Sequence, residues 1–335
     1  MEQLAVSKIA GVGHYFPDEV VSSDDLMEEF NSESRFGLPA RYLSKLAGIE
    51  QRRWSPAGTR PSSLAIKACE QAIENAGIQP SDIDCVIYCG IERDWQEPAT
   101  AHAVQHAIGA SQASCFDLSN ACHGFMNGIS VADAFIATGS ARICLLCTGE
   151  IGSHASRSIL RQLKEPRCGK EEMKFLLGGL TVGDAGGAMI LKHSQDLAGF
   201  RSFKFQSAGA FTDLCFYSRA ANDDIYGEMH MEEIVKETLD RHADSIEETY
   251  QSLNWTPTDV DTLFSHQVGA RVHKDVCRIT GIEREKAPTI VDRYGNIMSA
   301  TIPALFSLYP PQKGDKVLII SSGSGLTIGQ SAMLA

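Results

Sequence analysis

Asn75 to Cys89 reads NAGIQPSDIDCVIYC, and Ser252 to His266 reads SLNWTPTDVDTLFSH. Pro80, Asp82 and Asp84 of the first stretch fall opposite Pro257, Asp259 and Asp261 of the second, a constant offset of 177 residues. Each stretch predicts a helix end, a turn built on Pro and Asp, and then a buried strand. The residues ahead of them agree. Ala65, Cys69, Ala72, Ile73 and Ala76 recur at helical spacing before the first turn, and Val235, Leu239, Ile246, Tyr250 and Leu253 before the second. Further on, ARICLLCTG ending at Gly149 matches DKVLIISSG ending at Gly323, at an offset of 174.

A period this long marks a duplicated unit. Helices alternate with short apolar runs in each half, which predicts an α/β protein of two halves, residues 1–195 and 196–335, divided within Lys192 to Gly199. Runs such as CVIYC, ICLLC and KVLIIS suit parallel strands buried on both faces. The offset of 174 lays Cys122 opposite Asn296, so an approximate two-fold axis relating the halves would bring these two residues face to face.

The chain has 335 residues, 43% hydrophobic and 21% charged, which is ordinary globular composition and excludes a disordered or collagen-like chain. Its formal charge of -12 argues against a nucleic-acid or membrane-surface partner held by general electrostatics, so an anionic ligand needs a local basic patch. No run approaches the roughly 18 apolar residues of a membrane span, and the start MEQLAVSKIAG lacks the pattern of a signal peptide; a cytoplasmic protein is expected. The ten cysteines are scattered. Cys144 and Cys147 form the one Cys-x-x-Cys, their strand spacing puts them on opposite faces, and no second pair follows, so no metal site is expected.

Three residues carry the candidate chemistry. Cys122, in DLSNACHGFMNGISVADAF, stands where a strand-like stretch turns into a helix, and a helix N-terminus with a nearby imidazole lowers a thiol's pKa. The alternative is a buried packing cysteine. His266 ends the strand VDTLFSH, a place where open α/β sheets bind ligands, although a lone histidine also serves as a core residue. Asn296, in DRYGNIMSA, is either a turn residue or a hydrogen-bond donor.

Six ordered segments then carry a resemblance. IAGVGHYFP, AGIEQRRW, the Ala-Cys-x-Gly-Phe of Ala121 to Phe125, GDAGGAMIL, SHQVGARV, and RYGNIMSATIP running on to GSGLTIG resemble the β-ketoacyl-ACP synthase III (ketosynthase III) group of the thiolase superfamily over nearly the whole chain. The resemblance implies a thiolase-like fold in αβαβα layers, with Cys122 as nucleophile and His266 and Asn296 as donors to a malonyl thioester that decarboxylates. It also implies an oxyanion hole of the backbone N–H groups of Cys122 and Ser324. Acyl carrier protein or coenzyme A thioesters are the implied substrates, and no resident cofactor is expected.

Some residues depart from the pattern. Where many bacterial members hold adenine with tryptophan and arginine, this chain has Tyr42 and Leu46; Gly269 replaces an asparagine on the pantetheine side, and His123 follows the nucleophile. His123 is expected to be a partly buried structural residue. These departures point to a specialised fatty-acid-like or polyketide pathway.

An acidic carrier would need basic residues. Residues 157 to 174 hold Arg157, Arg161, Lys164, Arg167, Lys170 and Lys174 against Glu165, Glu171 and Glu172, and Arg271, Lys274 and Arg278 line the helix after His266, where the family docks its carrier. The 157–174 stretch could equally be a solvated face, whereas for Arg271 and Arg278 the resemblance favours docking. CFDLSNAC resembles the edge strand through which such subunits pair, so a homodimer is expected, with a heterodimer as the alternative. Two other activities stay open: acyl transfer from Cys122 to an oxygen or nitrogen nucleophile, and a non-catalytic subunit. Thiolase is disfavoured because GSGLTIG lacks its second cysteine, and a glutamate base like that of hydroxymethylglutaryl-CoA synthase could be Glu92 or Glu97.

Overall fold

A computed structural model describes residues 6–219 and 225–335. In chain order the strands are β1 (Ser7–Tyr15), β2 (Glu19–Ser22), β3 (Gln51–Trp54), β4 (Cys85–Tyr88), β5 (Ser114–Asp117), β6 (Ile143–Ile151) and β7 (Asp184–His193) in the first half. The second half supplies β8 (Gly199–Ser207), β9 (Cys215–Arg219), β10 (Ile225–Met229), β11 (Thr262–Ser265), β12 (Lys316–Gly323) and β13 (Thr327–Leu334). The first large sheet runs β1-β7-β6-β4-β5, and the second runs β11-β12-β13-β8. Setting β1, β7, β6 and β4 against β8, β13, β12 and β11 gives one order twice.

The correspondence extends to single atoms. Both Pro/Asp turns are short 3-10 helices closed by a capping box, Pro80–Asp82 behind Gln79 and Pro257–Asp259 behind Thr256. In the first half the Asp84 carboxylate accepts the Arg142 and Ile143 N–H groups at 2.8 and 3.0 Å, locking β4 to β6. In the second half Asp261 accepts the Lys316 N–H at 2.9 Å and locks β11 to β12. The β4–β6 and β11–β12 pairings are parallel, as the apolar runs suggested, but β1, β7, β8 and β13 pair antiparallel, so both sheets are mixed.

The two large sheets differ in that β5 has no counterpart beside β11 among the described residues; the chain after β11 is tied by the Gln267 side chain instead. Its Oε1 accepts the Ile290 and Val291 N–H groups at 2.9 and 3.2 Å, and its Nε2 donates to the Pro288 carbonyl at 2.9 Å. These bonds satisfy backbone groups that a strand ladder would otherwise have to pair.

Five layers follow from where the apolar side chains go. Helices Pro61–Ala76 and Thr100–Ile108 cover the outer face of the first sheet with Ala65, Ala68, Cys69, Ala72 and Val104. Gly11 and Gly13 of β1 let the first of these helices lie against the strand, since a Cβ on either would stand 2.3 or 2.1 Å from its carbonyl oxygens. Helices Gly124–Ala137 and Thr301–Leu308 fill the space between the sheets, packing Phe125, Ile129, Leu305 and Phe306 into the largest buried cluster. Helices Met231–Leu253 and Ala270–Thr280 cover the second sheet through Ile246, Tyr250, Val276 and Cys277. Cys144 faces the central cluster and Cys147 the outer one, on opposite faces of β6.

Candidate active site

The chain leaves β5 at Asp117 and turns through Leu118–Ala121 into the central helix. Ala121 takes φ 47, a left-handed conformation that its small side chain tolerates at some cost. His123 N–H donates to Asn120 O at 3.1 Å and Gly124 N–H to Ala121 O at 3.0 Å, so Cys122 is held in a closed turn immediately before the helix. This is the helix-start setting expected from sequence. Its electrostatic consequence is reversed: burial first, then the nearby Glu150 and Cys215, push the Cys122 thiol above its ordinary value. Cys122 keeps some exposed surface, but the low-dielectric protein packed around much of the thiol outweighs the helix terminus.

His266 leaves β11 and is buried; its N–H donates to Ile320 O at 2.8 Å, and its Nδ1 is buried with no partner. Burial, assisted by His123, lowers its pKa to about 4, so the imidazole is neutral at pH 7. Asn296 is buried between Thr181 and Gly183, donating its N–H to Thr181 O at 2.9 Å and accepting Gly183 N–H at 3.0 Å. Its Oδ1 accepts the Met298 N–H at 2.9 Å. The side-chain acceptor is thereby occupied, which leaves Nδ2 as the outward donor.

The glycine-rich loop after β12 closes onto the nucleophile turn. A Cβ on Gly323 would stand 2.9 Å from His123 N and 3.0 Å from Asn120 O, so Ser324 follows directly from a backbone contact with that turn. No backbone carbonyl among the described residues takes up the N–H of Cys122 or of Ser324, which suits two donors aimed at an oxyanion.

His123 differs from expectation. It is fully buried, with Nδ1 2.8 Å from Ser321 Oγ, its ring edge-on to Phe205 at 4.7 Å, and burial lowering its pKa to about 4. It is the clamp between the nucleophile turn and β12. Cys215, at the start of β9, adds a second thiol. It lies close to Ser324 and within electrostatic reach of Cys122, and burial raises it to about 11. The position that GSGLTIG leaves without a cysteine is approached by one from another segment.

The basic candidates divide. Arg157 stacks on Trp54, its guanidinium carbon 4.8 Å from the ring centroid, and donates to Ser55 O at 3.1 Å; Arg161 donates to Ser158 Oγ at 3.0 Å. Lys164 pairs with Glu29 at 2.8 Å, and Arg167 and Lys174 pair with Glu165 and Glu171. Much of the charge in 157–174 is therefore spent within the protein. Arg271, Lys274 and Arg278 are exposed along helix Ala270–Thr280, with Arg278 3.3 Å from Asp275. Glu92 is paired with Arg219 at 3.1 Å, and Glu97 is exposed before Pro98.

Tyr42 is half-buried and Leu46 exposed, neither of them cationic. At Gly269 a Cβ would meet Ala47 O at 2.8 Å, so no asparagine fits there without moving the Tyr42–Ala47 helix. Among the described residues no cluster of three or more His, Cys, Asp or Glu is placed to hold a metal, and no helix is long and apolar enough to cross a membrane.

Three site residues gave no clear sequence signal. Glu150 ends β6 fully buried, with burial raising its pKa to about 7. Asp184 is buried and accepts the Ser55 and Ser153 N–H groups at 2.6 and 2.8 Å. Arg52 is buried against Gly183 and Gly295, beside Asn296, and donates to Leu180 O at 2.9 Å.

Two stacked duplicate sheets, with these residues at the junction of the halves, define a thiolase-type fold. Residues 48–184 match the family described as thiolase, N-terminal domain, and residues 250–334 the one described as 3-oxoacyl-[acyl-carrier-protein] synthase III C terminal. β-Ketoacyl-[acyl-carrier-protein] synthase III of Granulibacter bethesdensis is 30% identical over 340 residues, covering 98% of each chain. The enzyme of the same name from Rickettsia canadensis is 28% identical over 331 residues. Xanthomonas campestris OleA with cerulenin bound superposes with a TM-score of 0.92 at 26% identity, covering 99% of this chain and 98% of that one. OleA with bound lauric acid and lauroyl-CoA gives 0.92 at 25% identity, covering 99% and 100%. The chain belongs to the β-ketoacyl-ACP synthase III family of the thiolase superfamily, and so to the acyl-thioester condensing enzymes.

Proposed function

We propose that the chain condenses an acyl group carried on Cys122 with a malonyl or related thioester, in a fatty-acid-like or polyketide pathway. The observation that carries this reading is the fixed Asn296 amide: Oδ1 is held by Met298, which leaves Nδ2 as a donor, and His266 supplies a second, neutral group. Two such donors suit an enolate oxygen, whose charge appears only as carbon dioxide leaves.

In the first step the Cys122 thiol attacks the donor thioester, and its proton passes by way of His266 to the departing thiol. The extender then loses carbon dioxide, and the electron pair of the broken bond becomes the enolate held by His266 and Asn296. The enolate carbon attacks the acyl carbonyl. The N–H groups of Cys122 and Ser324 hold the tetrahedral oxyanion, and its collapse expels the Cys122 sulfur, which recovers a proton. This scheme calls on no cofactor beyond the thioester substrates.

Ala47 O against Gly269 and the uncharged Tyr42 and Leu46 favour a carrier protein over the adenine of coenzyme A as the recognised handle, with Arg271, Lys274 and Arg278 as its docking stripe. Arg157 and Arg161 could add only what their internal contacts leave exposed. β5 stands at the open edge of the first sheet, and a second copy pairing there would make a homodimer.

The test is intact-mass detection of acyl-Cys122 beside release of labelled carbon dioxide from a malonyl thioester. Acylation followed by carbon dioxide and ketone supports condensation. Acylation without decarboxylation, with transfer to an alcohol or amine, makes the protein an acyltransferase instead; no acylation by any thioester makes it a non-catalytic subunit.

A further inference from the structure

Glu150 has no accessible surface, and all its hydrogen-bond partners are uncharged. Ile91 N–H lies 3.1 and 3.3 Å from its two oxygens, Thr148 Oγ1 donates to Oε1 at 3.1 Å, and the Ser299 hydroxyl donates to the same oxygen. The Thr148 and Ser299 hydroxyls are themselves 2.7 Å apart. A carboxylate buried without a cation is costly and is kept only where its bonds matter.

Each bond leads to a different part of the site. Ser299 lies in the turn Met298–Ala300, and the Met298 N–H is what orients the Asn296 amide. Ile91 follows Cys89 and Gly90, and a Cβ on Gly124 would stand 2.8 Å from Cys89 O, so this segment braces the start of the nucleophile helix.

We propose that Glu150 is a positioning residue: by holding the Ser299 hydroxyl it fixes the turn whose Met298 N–H orients the donor amide of Asn296. This role rests on the condensation reading.

The test uses S299A, E150A and E150Q in the full chain, with two readouts: single-turnover acylation of Cys122, and carbon dioxide release from a malonyl thioester by the acylated enzyme. S299A and E150A should acylate like wild type but release carbon dioxide about tenfold or more slowly, and E150Q, which keeps an acceptor for the Ser299 hydroxyl, should recover most of that loss. Undiminished carbon dioxide release by S299A, or an E150Q defect as deep as that of E150A, overturns the proposal; S299A decides alone if E150A does not fold. Should wild type itself release no carbon dioxide, the condensation reading fails and this role with it, whereas release by wild type and S299A alike refutes the role of Glu150 alone.

Discussion

Acidification should destabilise this protein well before its surface carboxylates are protonated. Burial holds His123, His242 and His266 each at a pKa of about 4. In the unfolded chain each titrates near 6.5, so between pH 6.5 and 4 the unfolded state binds more protons and stability falls as pH falls. At pH 5 each imidazole costs roughly 2 kcal/mol by this linkage, about 6 for the three. Glu150 works the other way. Its pKa is raised to about 7, so its contribution is complete below the usual carboxylate range and is lost as pH rises through 7. Going from pH 8 to 5 it returns about 2 to 3 kcal/mol, and the histidines prevail by about 3 to 4. Urea unfolding at pH 8 and 5 measures the difference. His242→Gln is the informative variant, because His242 lies beside Gln330 and is not one of the proposed reacting groups, and it should remove about 2 kcal/mol of the pH dependence. Stability that is level or rising from pH 8 to 5 would show that these histidines are not buried neutral.

Cys122→Ala should abolish the mass shift given by an acyl donor, and a persistent adduct on another cysteine would refute the assignment. Asn296→Ala should still accept an acyl group but release carbon dioxide about a hundred- to a thousandfold more slowly, as for loss of one transition-state donor; single-turnover measurement of both steps decides. Gly329→Ala should cost about 2 to 3 kcal/mol in urea unfolding, because its Cβ would stand 2.2 Å from Cε1 of the buried His123 ring. Light scattering at micromolar concentration should give twice the mass of the chain, and a monomer would exclude pairing through β5.

The duplication was legible because it is written in local turn chemistry. Pro80 and Asp82, like Pro257 and Asp259, specify the same capped turn wherever they occur, and Asp84 and Asp261 each bond the strand that follows in space. The missing fifth strand was not legible, since a glutamine beside a histidine gives no sign that its side chain will tie the chain after β11. The internal contacts of the basic run were not legible for a similar reason: Glu29, Trp54 and Ser55, which engage Lys164 and Arg157, lie more than a hundred residues away. Glu150 closes the apolar run ICLLCTGEI and by pattern is only a strand end. Its importance depends on Ile91 and Ser299, brought from two distant segments.

Burial also changes how the chemistry must proceed. The sequence suggests a thiolate stabilised by a helix start and a charged imidazole, but the fold places the thiol in surroundings that raise its pKa and the imidazole in surroundings that lower its own. A resting ion pair would put both charges where each is disfavoured. On the proposed condensation, a neutral thiol and a neutral base would avoid that cost and leave proton transfer to coincide with attack on the thioester, when the developing charge would move onto an oxygen that backbone N–H groups can meet. The same economy would hold for the second half-reaction. Asn296 carries no charge and His266 is neutral at pH 7, so neither would bind an anion strongly at rest, and both would gain strength as decarboxylation built the enolate. On that reading the site would spend its electrostatic capacity on charges that exist only in transit, while Glu150, raised by burial to about 7, holds the turn that carries Ser299.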